Sequence, residues 1–428
     1  MKIVIVGAGK VGVALTRHLA VENKVTVIDQ NPHLVENIIN IYDVMGVCGN
    51  GASYDVQKEA DVEQADLLIA TTSSDEINIL TCLVAKKMGV QHTIARIRSP
   101  EYGRQLRFMR SELGLSMAIN PEAATAREIA RVLRFPTAMK LESFSKGRLE
   151  LVEYRVAEHT ALDGTRLSEL YRNFKVRVLI CAVARQGETI IPSGDFTLRA
   201  GDKIYLTAAP RDLEKFFRLL GVFRARASSV MIVGASKMCY YLASELLEMG
   251  MSVKIIDQNE QRCVEMSERL PRALVIVGDG TDSELLSEEG ISQTDAFVAI
   301  TGLDEANILM ALSAAKQSGD CCKVVAKINR KSLLDLVSTE SLIDSVVSTG
   351  AVTTELILQY IRAMKNASAS KVKTLHRIVD EKVEALEFSV TPDIPFAGVP
   401  LRDLNLKRGL LLAGIVRQNG QIIIPSGN

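Results

Sequence analysis

Glycines at positions 7, 9 and 12, in the stretch "VIVGAGKVG", follow an apolar run and open a helix-forming segment. That spacing suits holding a pyrophosphate. Gly7 permits a tight strand-to-helix turn, Gly9 lets backbone amides approach phosphate oxygens, and Gly12 lets helix and strand pack closely. Ala8, Lys10 and Val11 complete the turn, whose helix presents its positive end to an anion. Lys10 either neutralises phosphate charge or is simply solvated. Twenty residues past Gly9, Asp29 ends "VTVID". A carboxylate there accepts from a ribose diol and repels a 2′-phosphate, which favours NAD(H) over NADP(H).

Other polar residues fall on the same expected edge. Asn50, in "GNGAS", is placed to touch adenine or ribose, and Thr72, Ser73 and Ser74, in "TTSSDEIN", lie where a fourth strand meets its helix. Arg98, in "ARIRSPEY", reaches phosphate, a neighbouring subunit or a surface ion-pair partner. Asp75 and Glu76 look like a catalytic pair. Ser73 with Glu76 also fits a capping box, and acids in a first helical turn complement the dipole, so a structural role is the stronger reading. The five histidines, His18, His33, His92, His159 and His376, form no recognisable acid–base constellation. A dinucleotide motif without substrate machinery points to a ligand that is sensed rather than consumed. An NAD-dependent oxidoreductase would share the same fingerprint.

The elements that must position these residues are legible from periodicity. Val- and Ile-rich runs such as "KIVIVG", "KVTVID", "ADLLIATT" and "HTIARI" alternate with helix-length segments, so the fold class is α/β with a doubly wound, Rossmann-like parallel sheet buried on both faces. After about Lys140, "LELVEYRVA", "VRVLICAVAR" and "GDKIYLTAA" read as strands around one short helix, a small α+β subdomain. The helical, basic stretch "RDLEKFFRLLGVFRARASS" reads as the linker between the two repeats.

The whole pattern is written twice. "VIVGAGKVG" at Val4 returns as "MIVGASKMC" at Met231, "VTVIDQN" at Val25 as "VKIIDQN" at Val253, and "GNGAS" at Gly49 as "GDGTD" at Gly278. "SDEIN" at Ser74 matches "LDEAN" at Leu303, "ARIR" at Ala95 matches "AKIN" at Ala326, and "IIPSGD" at Ile190 matches "IIPSGN" at Ile423. Four domains are expected: Rossmann-like lobes at 1–140 and 226–370, and small α+β subdomains at 141–225 and 371–428. The second turn keeps Gly234, Ala235 and Lys237, with Met238 in place of Val11, but Ser236 replaces Gly9 and Cys239 replaces Gly12. Asp257 still ends the following strand, and Asp279 stands where Asn50 was. A side chain at Ser236 crowds a pyrophosphate, so a dinucleotide should bind there worse or in another pose. The second copy ends before a counterpart of "DFTLRAGDKIYLTAA", and the last subdomain is expected to be less stable for it.

Bulk properties narrow the classes. Fifty-one basic and fifty-one acidic residues among 428 leave no net field to gather nucleic acid. The longest apolar runs, such as "GLLLAGIV" at Gly409, fall well short of the ~20 residues that span a bilayer. With no signal-peptide pattern at the start, a cytoplasmic address is expected. Seven cysteines without a CxxC pair imply reduced thiols, neither disulfides nor zinc, with Cys321 and Cys322 as packing residues.

"VIVGAGKVG", "VIDQN", "GNGAS" and "ATTSSDEIN", followed by "IIPSGD" and "LRAGDKIYL" and all duplicated in one chain, resemble the TrkA family. These are the cytoplasmic regulatory subunits of bacterial Trk potassium uptake systems, with tandem regulator-of-potassium-conductance (RCK) domains. The resemblance implies no enzymatic activity, NAD(H) in the first lobe, and ATP or ADP as alternative or additional ligands. It also implies a homotetramer peripheral on the inner membrane face, beneath a membrane-embedded Trk-type potassium transporter. Control of an efflux antiporter is the alternative within this class. Family members carry an interface helix after the last Rossmann strand. The matching faces here include Ile129, Val132 and Leu133, and Leu356, Leu358 and Ile361, for which partner contact is favoured over coverage within the chain.

Overall fold

A computed structural model describes residues 1–102, 114–134, 140–144, 148–222, 227–319, 322–337, 343–366, 372–379, 382–388, 390, 398–400, 403 and 409–425. Cys321 lies outside them.

The first lobe is built on β1 (Lys2–Val6), β2 (Lys24–Asp29), β3 (Met45–Cys48), β4 (Leu67–Ala70), β5 (His92–Arg96) and β6 (Met117–Ile119). They form one sheet in the order β3-β2-β1-β4-β5-β6, with every pair parallel. Such a sheet needs cover on both faces, and the run from Leu67 to Ala70 is accordingly buried at every position. Helices α1 (Lys10–Leu19), α2 (Pro32–Ile41), α3 (Tyr54–Glu59), α4 (Asp75–Lys87) and α5 (Pro121–Arg134) follow their strands. Connections diverge between β1 and β4, and in sheets of this kind ligands bind at that switch point, outside the carboxyl ends of the strands.

The small subdomain has β7 (Lys140–Phe144), β8 (Leu149–Arg155), β9 (Leu179–Arg185), β10 (Glu188–Ile190) and β11 (Lys203–Ala208), with α6 (Leu170–Phe174) and α7 (Pro210–Leu219). Its sheet is antiparallel, in the order β10-β9-β11-β8-β7. The expected linker is largely α7. Its Leu213, Phe216 and Phe217 are fully buried, and Phe217 meets the Tyr154 ring edge-on at 5.1 Å. A charged stripe along one face hid an apolar stripe along the other.

The second lobe repeats the first with β12 (Ser229–Val233), β13 (Ser252–Asp257), β14 (Leu274–Val277), β15 (Ala296–Ala299), β16 (Lys323–Lys327) and β17 (Ser345–Val347), in the order β14-β13-β12-β15-β16-β17. Its helices are α8 (Lys237–Glu248), α9 (Glu260–Arg269), α10 (Ser283–Glu288), α11 (Asp304–Ser318), α12 (Lys331–Val337) and α13 (Thr349–Asn366). Two hairpins close the described chain, β18 (Val372–Ile378) with β19 (Val383–Phe388) and β20 (Ile415–Val416) with β21 (Ile422–Ile423). In the first subdomain β11 is the central strand, joining what here are separate pairs.

Two compact units result: Met1–Ala130 with Ser228–Ile357, holding the two lobes, and Arg131–Ala227 with Leu358–Asn428. In the second unit Ile378, Val379 and Ile422 share an apolar cluster with Phe144, Leu149 and Leu151. Ile129, Val132 and Leu133 on α5 and Leu358 and Ile361 on α13 are buried within the chain itself, with Leu356 half-buried. Those faces are covered by their own chain rather than left for a partner. Among the described residues no helix is long and apolar enough to cross a membrane.

Candidate nucleotide-binding site

The glycine turn after β1 is fixed by what presses on it. Gly7 has φ +106°, a conformation L side chains rarely adopt, and a Cβ there would lie 2.9 Å from the Thr71 carbonyl carbon. At Gly12 a Cβ would stand 1.8 Å from the Gly7 carbonyl oxygen, so helix and turn touch backbone to backbone. Gly9 is different. Nothing lies within 4 Å of a Cβ built on it, and as the N-cap of α1 it offers no side-chain hydrogen bond to the first turn. Among the described residues the helix therefore begins without a side-chain cap, with open space at Gly9, and the amides of a helix's first turn are the donors an anion requires. Lys10 is exposed beside it, whereas Ala8 and Val11 are buried and can offer a ligand only backbone.

Asp29 sits at the end of β2, where its spacing placed it, but it already has work in the turn. Its Oδ2 accepts from the Ala8 amide at 2.6 Å and its Oδ1 from the Asn31 amide at 2.8 Å. A ribose diol would share this carboxylate through its remaining lone pairs. Asn50 is exposed at the end of β3 and its Oδ1 accepts from the Ala52 amide at 3.1 Å, a local turn.

At the end of β4 the structure corrects one assignment. Ser74, not Ser73, caps α4: its hydroxyl oxygen accepts from the Ile77 amide at 3.2 Å and donates to Glu76 at 2.7 Å. Ser73 is exposed and its carbonyl accepts from the Arg98 guanidinium. The Ser74 hydroxyl, Glu76's own backbone amide and the Tyr102 hydroxyl hold the Glu76 carboxyl down at about 2. Asp75 is buried, and its Oδ2 accepts from the Arg98 and Ser99 amides at 2.8 and 2.7 Å. Both acids are structural, tying α4 to the loop beyond β5. Arg98 also lies 3.8 Å from Asp75 and 3.9 Å from Glu122, so its side chain is half-buried among protein partners.

Two residues that sequence reasoning passed over support this edge. Asn78 is fully buried; its Oδ1 accepts from the Thr72 amide and hydroxyl, both at 2.8 Å, and its Nδ2 donates to the Arg96 carbonyl at 2.9 Å. It staples β4 to β5 beneath Thr72. Arg96 donates to the Thr72 carbonyl, and burial first, then the charge of Arg98, lowers its guanidinium pKa. The signal was present in the repeat, since Asn307 makes the same bonds to Thr301 and Lys327.

The second turn keeps the frame and alters the mouth. Gly234 has φ +111°, and Asp257 accepts from the Ala235 and Asn259 amides at 2.7 and 2.8 Å, as Asp29 does in the first lobe. Ser236, however, caps α8, accepting from the Cys239 amide at 3.4 Å. Met238 is buried, Lys237 is exposed, and Asp279 is occupied by the amide and hydroxyl of Thr281, which lower its carboxyl pKa. Within this unit the lobes meet: the Tyr241 hydroxyl donates to the Arg98 carbonyl at 3.1 Å and accepts from Asn120 at 2.8 Å. Burial lowers the Lys327 pKa, against Asp304 and Glu122, and Lys10 of the other lobe adds to the lowering.

Comparison with known proteins agrees with this geometry. Residues 3–121 and 230–349 match the TrkA-N domain family, and residues 151–221 match the TrkA-C domain family. The chain is 32% identical over 436 residues to the Trk system potassium uptake protein TrkA homolog 1 of Methanosarcina mazei, covering all of this chain and 94% of that protein. It is 33% identical over 422 residues to the Trk system potassium uptake protein TrkA of Vibrio alginolyticus, covering 97% and 91%. Among solved structures, the GsuK channel bound to NAD superposes with a TM-score of 0.63 over 86% of this chain and 64% of that one, at 21% identity, a likeness of fold. With two TrkA-N units and a TrkA-C unit in one polypeptide, and relatives named as Trk system potassium uptake proteins along its whole length, the chain belongs to the TrkA family.

Proposed function

We propose that this protein is a nucleotide-sensing gating subunit of a membrane-embedded Trk-type potassium transporter, acting as a homotetramer on the cytoplasmic side of the membrane. The observation that carries the reading is the first glycine turn: open space over Gly9, an uncapped α1, and Asp29 at the end of the next strand. NAD(H) is the dinucleotide this seat fits, and ATP or ADP, which share its adenosine and phosphates, compete there. The NAD named for the GsuK channel and the potassium uptake named for the relatives support this choice. In this reading residues 1–140 and 226–370 are the lobes, and 141–225 and 371–428 the small subdomains.

The seat's own groups bind and orient. Amides of the first turn of α1 take phosphate oxygens, Asp29 takes the ribose hydroxyls while holding the turn through Ala8, and Lys10 adds charge at the mouth. Gating then requires that ligands bind two conformations with different affinity. About 5.5 kcal/mol of differential binding moves a 1:99 population to 99:1, and equivalent seats in an oligomer share it.

Calorimetric titration with NAD, NADH, ATP and ADP tests the seat. A Gly9→Val side chain enters open space, so the fold survives while NAD affinity falls at least about tenfold, or ~1.4 kcal/mol. Unchanged affinity in that variant would remove the seat from the first lobe.

A further inference from the structure

The second glycine turn repeats the first in sequence, yet its donors are spent. In the first lobe Gly9 caps α1 with no side chain, and among the described residues its amide makes no bond back to Gly7. In the second, the Ser236 amide donates to the Gly234 carbonyl at 3.0 Å and the Ser236 hydroxyl oxygen accepts from the Cys239 amide. The Ala235 amide is held by Asp257. The Ala235 bond matches that of Ala8 to Asp29 in the first lobe, so the difference is two donors, the Ser236 and Cys239 amides, satisfied within the chain.

A cause for the difference lies three residues on. A Cβ at Gly12 would sit 1.8 Å from the Gly7 oxygen, so the first turn tolerates no side chain there. Cys239 occupies the equivalent place and is fully buried, so the second turn accommodates a side chain where the first cannot. That turn closes on itself through the amide and hydroxyl of Ser236. Asp257 persists for a reason independent of any ligand, since it holds Ala235 and Asn259 as Asp29 holds Ala8 and Asn31.

We propose that Ser236 is a built-in stopper that, with Cys239, closes the second lobe to pyrophosphate, so that each chain binds one dinucleotide, in the first lobe. A pyrophosphate must displace a helix cap and pass the Ser236 side chain, while among the described residues the first lobe has neither at Gly9. The inference rests on the reading of the first lobe as the NAD seat, but its test separates the two.

NAD stoichiometry per chain is measured by equilibrium dialysis for four proteins. The intact chain is expected to bind one NAD, Asp257→Ala is expected to leave that number at one, and the double variant Ser236→Gly with Cys239→Gly is expected to bind two. Gly9→Ser, which fits open space and therefore folds, is expected to weaken first-lobe binding at least about tenfold by reproducing the stopper. Two NAD per intact chain, with one lost in Asp257→Ala, would overturn the proposal, as would a folded double variant that gains no site. Should that variant fail to fold, Gly9→Ser decides: undiminished binding overturns the proposal and weakened binding sustains it. If the intact chain binds no NAD, the first-lobe reading fails alone, and a site gained by the double variant still supports the stopper.

Discussion

At the scale of single residues, three glycines of one motif carry three different loads. Gly12 is demanded by contact with the Gly7 oxygen, Gly7 by its positive φ, and Gly9 by nothing in the protein. A glycine with no internal reason is a glycine kept for something outside. Gly12→Ala is expected to destabilise the lobe by about 3 kcal/mol through a backbone clash, and Gly9→Ala by less than about 1 kcal/mol. Urea denaturation of the two variants measures both. Asp29 was legible from its spacing, but its bonds to Ala8 and Asn31 were not, because a carboxylate gripping its own turn leaves no mark in sequence distance. Asp29→Ala and Asp257→Ala should each cost about 2 kcal/mol of stability through lost charge-assisted bonds, and only the former should lower NAD affinity. Thermal melts with and without NAD distinguish the two effects.

At the scale of elements, the parallel strands followed from alternating apolar runs, and the first turn of α4 shows where such reading loses resolution. Ser73 and Ser74 are chemically identical candidates for a cap, and only the path of the chain leaving β4 selects Ser74. The same turn carries a pH dependence. Glu76 is held at about 2, below its ordinary 4.5, chiefly by the Ser74 hydroxyl. A carboxylate depressed in the folded state stabilises fully above its unfolded pKa, and that contribution fades as pH falls from about 4.5 to about 2. Glu76→Gln should therefore flatten the acid limb of a stability–pH curve in that window and leave pH 7 to 9 unchanged in shape. The linker, read as helical but not as part of a core, has a similar origin. Charges at Arg211, Glu214, Lys215 and Arg218 lie on one side of α7, and the buried Phe216 and Phe217 are spaced to the other, which composition alone does not separate.

At the scale of the whole molecule, the duplication was the most legible feature, since near-constant spacing between matched motifs survives divergence that erases individual residues. Less legible was the fate of α5 and α13. Amphipathic helices after a completed sheet present the same pattern whether they seek a partner or their own chain, and here Ile129, Leu133 and Ile361 are buried at home. The repeat also explains why one chain carries two similar turns of unequal openness: the frame residues Asp257 and Asn307 serve folding, and the positions matching Gly9 and Gly12 were free to change. The central claim, that occupancy of the first glycine turn regulates potassium movement, is met most directly by measuring potassium flux into vesicles holding the transporter partner, with this protein and NADH added. Flux is expected to respond to NADH with the intact chain and to lose that response with Gly9→Val at equal protein bound, whereas an equal response from both would contradict the account.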